Sequence, residues 1–200
     1  IKKILIVAGD PNSINSEIIF KCWKRINDKY KKNIFVIGNY KLLLEQSKKL
    51  KIKVKLNEVF NLKSKLDKKQ ISIINFPLSY KNCFKVSKFN SSKYVIGCLN
   101  LAHRFCIEKK FNGFINCAID KNLISGNKMS GVTEFIAKKS KIKKDTEVMM
   151  LHNNKLSVVP VTTHIKIKEI SKKIKKNLII KKIKTLNSFY KKIFKTKPKI

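Results

Sequence analysis

Residues 4–50 decide the fold. Ile4-Leu5-Ile6-Val7-Ala8 is a short, unbroken apolar run, followed by Gly9-Asp10-Pro11-Asn12-Ser13. Such a run suits a strand buried on both faces of a parallel sheet, and the five residues after it are turn chemistry. Asn15 or Ser16 can cap a helix over Glu17 to Tyr30, because Ile18, Ile19, Cys22, Trp23 and Ile26 recur at three- and four-residue intervals. Asn33 to Gly38 reads as a second strand closed by glycine, and Leu42 to Leu50 as a second helix. The order β-α-β-α predicts an α/β fold.

Further along, Lys51 to Leu56 alternates lysine with apolar residues and predicts a half-exposed strand. Asn57 to Gln70 reads as loop and Ile71 to Phe76 as a strand. Ser91 to Lys110 reads as a helix with Val95, Cys98, Leu99, Ala102, Phe105 and Cys106 on one face. Gly113 to Ile119 predicts another buried strand, and Thr133 to Lys139 a helix after the Gly131 turn. Val148–Leu151 and Leu156–Thr162 predict a hairpin or adjacent strands around His152-Asn153-Asn154. From Ile165 onward the pattern is lysine-rich and helical, with a break expected between Leu178 and Leu186. The division expected is a first α/β domain over residues 1–125 and the start of a second over 126–200.

Composition narrows the function classes. The chain carries 47 basic and 12 acidic residues, a net charge of +35. Only Arg25 and Arg104 are arginines, whereas base-reading surfaces and bidentate phosphate grips favour arginine. The abundance of isoleucine and asparagine points instead to compositional drift toward AT-rich codons, so no specific nucleic-acid partner is expected. Loose, salt-sensitive polyanion binding is expected either way. Cys22, Cys83, Cys98, Cys106 and Cys117 form no CxxC pair, so neither a zinc ribbon nor a dithiol redox motif is indicated. The odd cysteine count and the absence of a signal-peptide pattern suit a reducing cytoplasm. No apolar run approaches the roughly 20 residues a membrane span needs, so no membrane partner is expected. Both ends read as cut, from Ile1 without an initiator methionine to Lys197-Pro198-Lys199-Ile200.

Four separate blocks carry chemistry. Gly9-Asp10-Pro11 follows a strand and precedes a helix, where open α/β sheets place ligands; neither GxGxxG nor a P-loop occurs. Asn116-Cys117-Ala118-Ile119-Asp120-Lys121 ends a strand, and a lysine there can hold a phosphate as a point charge. Gly131-Val132-Thr133-Glu134-Phe135 offers a hydroxyl at Thr133, beside a Val132 that cannot hydrogen-bond. Val161-Thr162-Thr163-His164 ends in an imidazole. By itself each has a bland reading: a turn, a solvated lysine, a helix start near Thr133, a histidine that binds nothing.

Taken in order, the four blocks resemble the 4-hydroxythreonine-4-phosphate dehydrogenase (PdxA) family of vitamin B6 synthesis, over about the first three-fifths of the family's length. GDPNSINSEI at Gly9–Ile18 is similar to the family's GDPAGIGPEI, with Ser13, Asn15 and Ser16 replacing two glycines and a proline. Loss of a glycine that allows positive φ predicts a different loop path. NCAIDK at Asn116–Lys121 is similar to TAPINK, GVTEF to GHTEF, and VTTH to VTTH. The resemblance implies a two-domain α/β/α sandwich similar to the isocitrate and isopropylmalate dehydrogenases, with the C-terminal part absent from this chain. It implies NAD- or NADP-dependent oxidation of 4-phosphooxy-L-threonine, then decarboxylation to 3-amino-2-oxopropyl phosphate, for pyridoxal phosphate. A divalent ion (Zn, Mg or Co) bound to the hydroxyl would lower its pKa, and the enzyme would be a homodimer. It implies substrate contacts from Asp10, Lys121, Thr133 and the position of Val132, and a metal ligand at His164. The family's other two histidine ligands belong to NPHAGE and YHDQG motifs that this sequence does not contain. Val132 in place of histidine raises an alternative, a catalytically degenerate paralogue that binds a phosphorylated ligand; a lysine-rich polyanion binder is a more distant one.

Overall fold

The computed structural model describes residues 3–62, 67–124, 131–142, 146–163 and 165–200. Contacts divide the chain into two units, Ile1–Lys128 and Met129–Ile200.

The first unit is built on a five-stranded parallel sheet in the order β3-β4-β2-β1-β5. Its strands are β1 (Ile4–Val7), β2 (Ile34–Gly38), β3 (Lys55–Glu58), β4 (Gln70–Asn75) and β5 (Gly113–Asn116). Helices α1 (Asn15–Arg25), α2 (Asp28–Lys31), α3 (Tyr40–Lys49) and α4 (Lys88–Ile107) connect them. Parallel pairing needs crossovers, and the crossover helices bury both sheet faces. Val36, Ile71 and Ile73 meet Ile19, Phe20 and Trp23 of α1 and Leu43 of α3 in one core. Phe35 points the other way, edge-on to Phe111 at 5.1 Å, and α4 packs against β1, β2 and β5. Leu5, Val7, Phe35, Val36 and Ile37 have no solvent exposure, which is why the runs read as continuous apolar strands.

Four sequence expectations are corrected. The helix expected through Tyr30 stops at Arg25. Ile26 turns extended, and the Asn27 side chain accepts a bond from Lys29 N and restarts the chain as α2. The strand expected over Lys51–Leu56 begins only at Lys55: Lys51 has φ +53° and Ile52 N bonds Ser47 O, so these residues close α3. That strand then runs through Glu58, into the expected loop. The strand at Gly113 ends at Asn116 and is not fully buried, with Ile115 59% exposed, because β5 is the sheet's edge.

The second unit holds α5 (Val132–Lys139), β6 (Leu151–His152), β7 (Ser157–Val158), α6 (Ile170–Lys173) and α7 (Lys176–Ile193). Strands β6 and β7 form an antiparallel hairpin, and its turn is fixed by Asn153 Oδ1 accepting from Lys155 N and Leu156 N, both at 2.8 Å. The fourth correction lies here. No break falls between Leu178 and Leu186; α7 is continuous, and the interruption is the extended pair Ile174-Lys175. Neither residue type forces that position, so periodicity alone could not locate it.

Candidate functional site

Strand β1 delivers the chain to Gly9, whose φ is +75°. A side chain there would stand 2.6 Å from the Ala118 carbonyl oxygen and 2.6 Å from Asn15 Nδ2, so glycine is required twice over. The turn is held by its own short side chains and by one bond to the segment after β5. Asp10 N donates to Ala118 O at 3.2 Å, Asp10 Oδ1 accepts from Asn12 N at 2.9 Å, and Ser13 Oγ donates to Asp10 O at 2.8 Å. Among these residues only Gly9 has positive φ; Ser13, Asn15 and Ser16 do not need it.

Asn15, buried at the start of α1, donates through Nδ2 to Ala118 O at 2.7 Å and so ties the turn to the segment after β5. Its Oδ1 and the hydroxyl of Ser16 are buried without a partner among the described residues. Asn12 grips the backbone of Val86 in both directions, at 2.9 and 2.8 Å. Gln46, buried on α3, donates to Pro11 O and Cys83 O at 2.9 and 2.7 Å. These partners are distant in sequence, and no local motif announces them.

Beside Gln46's partner Cys83 sits a polar cluster. Burial works to raise the Glu45 carboxyl, but hydrogen bonds from Cys83, Lys49 and Tyr80 hold it below the usual range. Burial, then the hydrogen bond to Glu45 and after it the Glu45 charge, push the Tyr80 phenol up to about 12 and the Cys83 thiol upward too. Burial, with Cys22 nearby, raises Cys117 to about 11. Thiols so shifted stay protonated near neutrality and are poor nucleophiles.

Because β5 pairs with β1 in parallel, the carboxyl ends of both strands lie side by side, and Cys117 N bonds Val7 O at 3.0 Å. The structure therefore brings Asp10 to the segment that leads to Lys121. Lys121 opens a 3-10 turn over Lys121–Leu123, capped by Asp120 Oδ1 accepting from Asn122 N at 2.9 Å. Buried Leu123 and Ile124 anchor it, and Ser92 Oγ donates to Leu123 O at 2.6 Å. Lys121 itself is exposed. A fixed backbone with a free ammonium group suits an anionic ligand.

In the second unit, Gly131 precedes α5 and gives no side-chain cap. Val132 and Thr133 are the first two helical residues, so Thr133 is not the cap. Thr133 is exposed and borders an apolar cavity of about 460 Å³ with Ile136, Met150, Leu186 and Phe189. His164 lies outside the described residues. Among the described residues no group of three or more His, Cys, Asp or Glu side chains is placed to hold a metal. His152 Nδ1 lies 2.7 Å from Ser157 Oγ, which lies 3.1 Å from the Tyr190 hydroxyl. Among the described residues no carboxylate is bonded to that row, and it pins the hairpin to α7.

Comparison with known proteins places this arrangement. Residues 30–200 match the family model described as pyridoxal phosphate biosynthetic protein PdxA. The chain is 33% identical over 98% of its length to 4-hydroxythreonine-4-phosphate dehydrogenase of Wigglesworthia glossinidia brevipalpis, and covers 58% of that protein. It is 34% identical to the Sulfurihydrogenibium sp. (strain YO3AOP1) protein of the same name, covering 99% of this chain and 61% of that one. It thus spans about three-fifths of the length of these curated relatives. The crystal structure of 4-hydroxythreonine-4-phosphate dehydrogenase from Klebsiella pneumoniae superposes with a TM-score of 0.82 at 22% identity, over 96% of this chain and 60% of that one, and so shares the fold. By the family model and by the parallel α/β sheet that carries its motifs, the chain belongs to the PdxA family.

Proposed function

We propose that this chain supplies the amino-terminal part of an NAD- or NADP-dependent, divalent-metal-dependent oxidoreductase. Its reaction is oxidation of 4-phosphooxy-L-threonine and decarboxylation to 3-amino-2-oxopropyl phosphate, in pyridoxal phosphate synthesis. The observation that carries the reading is identity of 33% over nearly the whole chain to a protein named 4-hydroxythreonine-4-phosphate dehydrogenase. The site geometry supports the roles. The exposed Lys121 ammonium on its capped turn meets the substrate's phosphate as a point charge. The Thr133 hydroxyl, on the first turn of α5, gives and accepts a hydrogen bond. Asp10, locked by the Gly9 turn, forms the wall between the ends of β1 and β5. Turnover of this substrate by the natural gene product that contains the chain is the test.

A catalytic ion needs about three protein ligands. The described residues do not provide such a set, so they do not fit a metal by themselves. His164 is proposed as one ligand of a set completed by other residues, and no step is assigned to the ion. The nicotinamide cofactor, with no glycine fingerprint in this sequence, is proposed to bind mostly through residues other than these. A cytoplasmic homodimer is part of the same reading. Exposed apolar side chains one turn apart on α7, Ile180 and Ile183, support a covered face on the second unit.

One observation favours a second reading, a degenerate paralogue that binds a phosphorylated ligand without turnover. Val132 stands at the head of α5, where an imidazole would reach a ligand and an isopropyl group cannot. A missing hydrogen bond to a buried substrate group costs about 1–3 kcal/mol. Val132→His is therefore expected to lower KM for 4-phosphooxy-L-threonine about tenfold. An unchanged or higher KM would mean that another group has taken over that contact.

A further inference from the structure

Far from the Gly9 turn, at the opposite ends of the strands, the first unit has a cleft of about 900 Å³ lined by lysines from three separate segments. Lys24 and Lys31 come from α1 and α2, Lys53 from just before β3 and Lys55 from its first position, and Lys68 and Lys69 from the residues before β4. Among the described residues two carboxylates line it. Asp28 is paired with Lys31 at 2.7 Å, and Asp67 Oδ1 accepts from Lys69 N at 2.9 Å. Among the described residues, Lys24, Lys53, Lys55, Lys68 and Lys69 have no ion pair, while other lysines of this unit, such as Lys21 and Lys49, do. Five of the six lysines are exposed. Lys31 is not: its Nζ lies 5.6 Å from the centre of the Trp23 ring, which also lines the cleft.

General excess of lysine would scatter charge over convex surface. Here six lysines line one concavity, and like charges gathered there raise the local concentration of anions. Lysines without arginine give point charges and no planar fork, which suits a string of phosphates read by charge alone. We propose that this cleft is a binding site for a small anion with contiguous phosphates, either a free polyphosphate chain or the phosphate tail of a nucleotide. It is separate from the proposed substrate contacts and does not depend on the dehydrogenase reading.

Trp23 lines the cleft, so the part of the fluorescence change that is lost in Trp23→Phe reports on it directly. Tripolyphosphate and ATP are each titrated into the protein, with inorganic phosphate as the single-charge control and oligothymidylate as the nucleic-acid control. A saturable change in Trp23 emission is expected with at least one of the first two, weakening as salt rises. Response to both assigns recognition to the phosphates; response to ATP alone assigns the nucleotide, and to tripolyphosphate alone the free chain. The variant Lys53→Gln/Lys69→Gln is compared with Lys191→Gln/Lys192→Gln, exposed residues of α7 in the other unit that lose the same charge. The first pair is expected to raise the midpoint about tenfold and the second less than about twofold. Equal response of the two pairs, no saturable change, or a response to oligothymidylate alone would overturn the proposal.

Discussion

Gly9→Ala is expected to destabilise the first unit by about 2–4 kcal/mol, through positive-φ strain and steric overlap together. The φ of +75° is unfavourable for any side chain, and the new Cβ would meet the Ala118 carbonyl and Asn15 Nδ2, both at 2.6 Å. Those two atoms are themselves hydrogen-bonded at 2.7 Å, so neither can move without breaking the tie between the turn and the segment after β5. The urea unfolding midpoint should fall with little change in slope. Activity should fall with it even where the variant stays folded, because the Asp10 backbone hangs from the same Ala118 carbonyl. A loss below about 0.5 kcal/mol would show that the turn relaxes freely and that its geometry does not position Asp10.

His164→Ala in the complete gene product is expected to abolish metal retention and to lower kcat/KM about a thousandfold. An ion held with the help of His164 would supply Lewis-acid stabilisation on the order of several kcal/mol, and each 1.4 kcal/mol is a factor of ten. Metal content per protomer, measured on the purified variant, separates this role from a merely structural one. Full retention of both metal and activity would remove His164 from the ligand set.

The sheet was legible because a strand covered on both faces leaves an unbroken apolar run, as Ile4–Ala8 and Ile34–Gly38 do. Where the outcome depended on tertiary position it was not. Gly113-Phe114-Ile115 reads as buried, but its place at the sheet edge leaves Ile115 exposed, and nothing local marks an edge. Asn27 carried a usable signal, since its side chain restarts a helix, but the continuing three- and four-residue spacing through Ile26 hid it. In the site, turn residues exposed Gly9 and Asp10, whereas Lys121 could be singled out among so many lysines only by family resemblance. The bonds that hold the wall together join residues far apart in the chain: Asn15 to Ala118, Asn12 to Val86, Gln46 to Cys83. The same is true of the lysine cleft, whose three segments meet only in the folded unit.

Family membership bears most directly on one reaction. The natural gene product containing this chain is incubated with 4-phosphooxy-L-threonine, NAD or NADP and a divalent ion, and reduced cofactor is followed by its absorbance. Substrate-dependent formation of NADH or NADPH, with release of carbon dioxide, is the predicted result. No reduced cofactor at saturating substrate, with metal bound, would contradict the enzyme reading and leave the degenerate paralogue in its place.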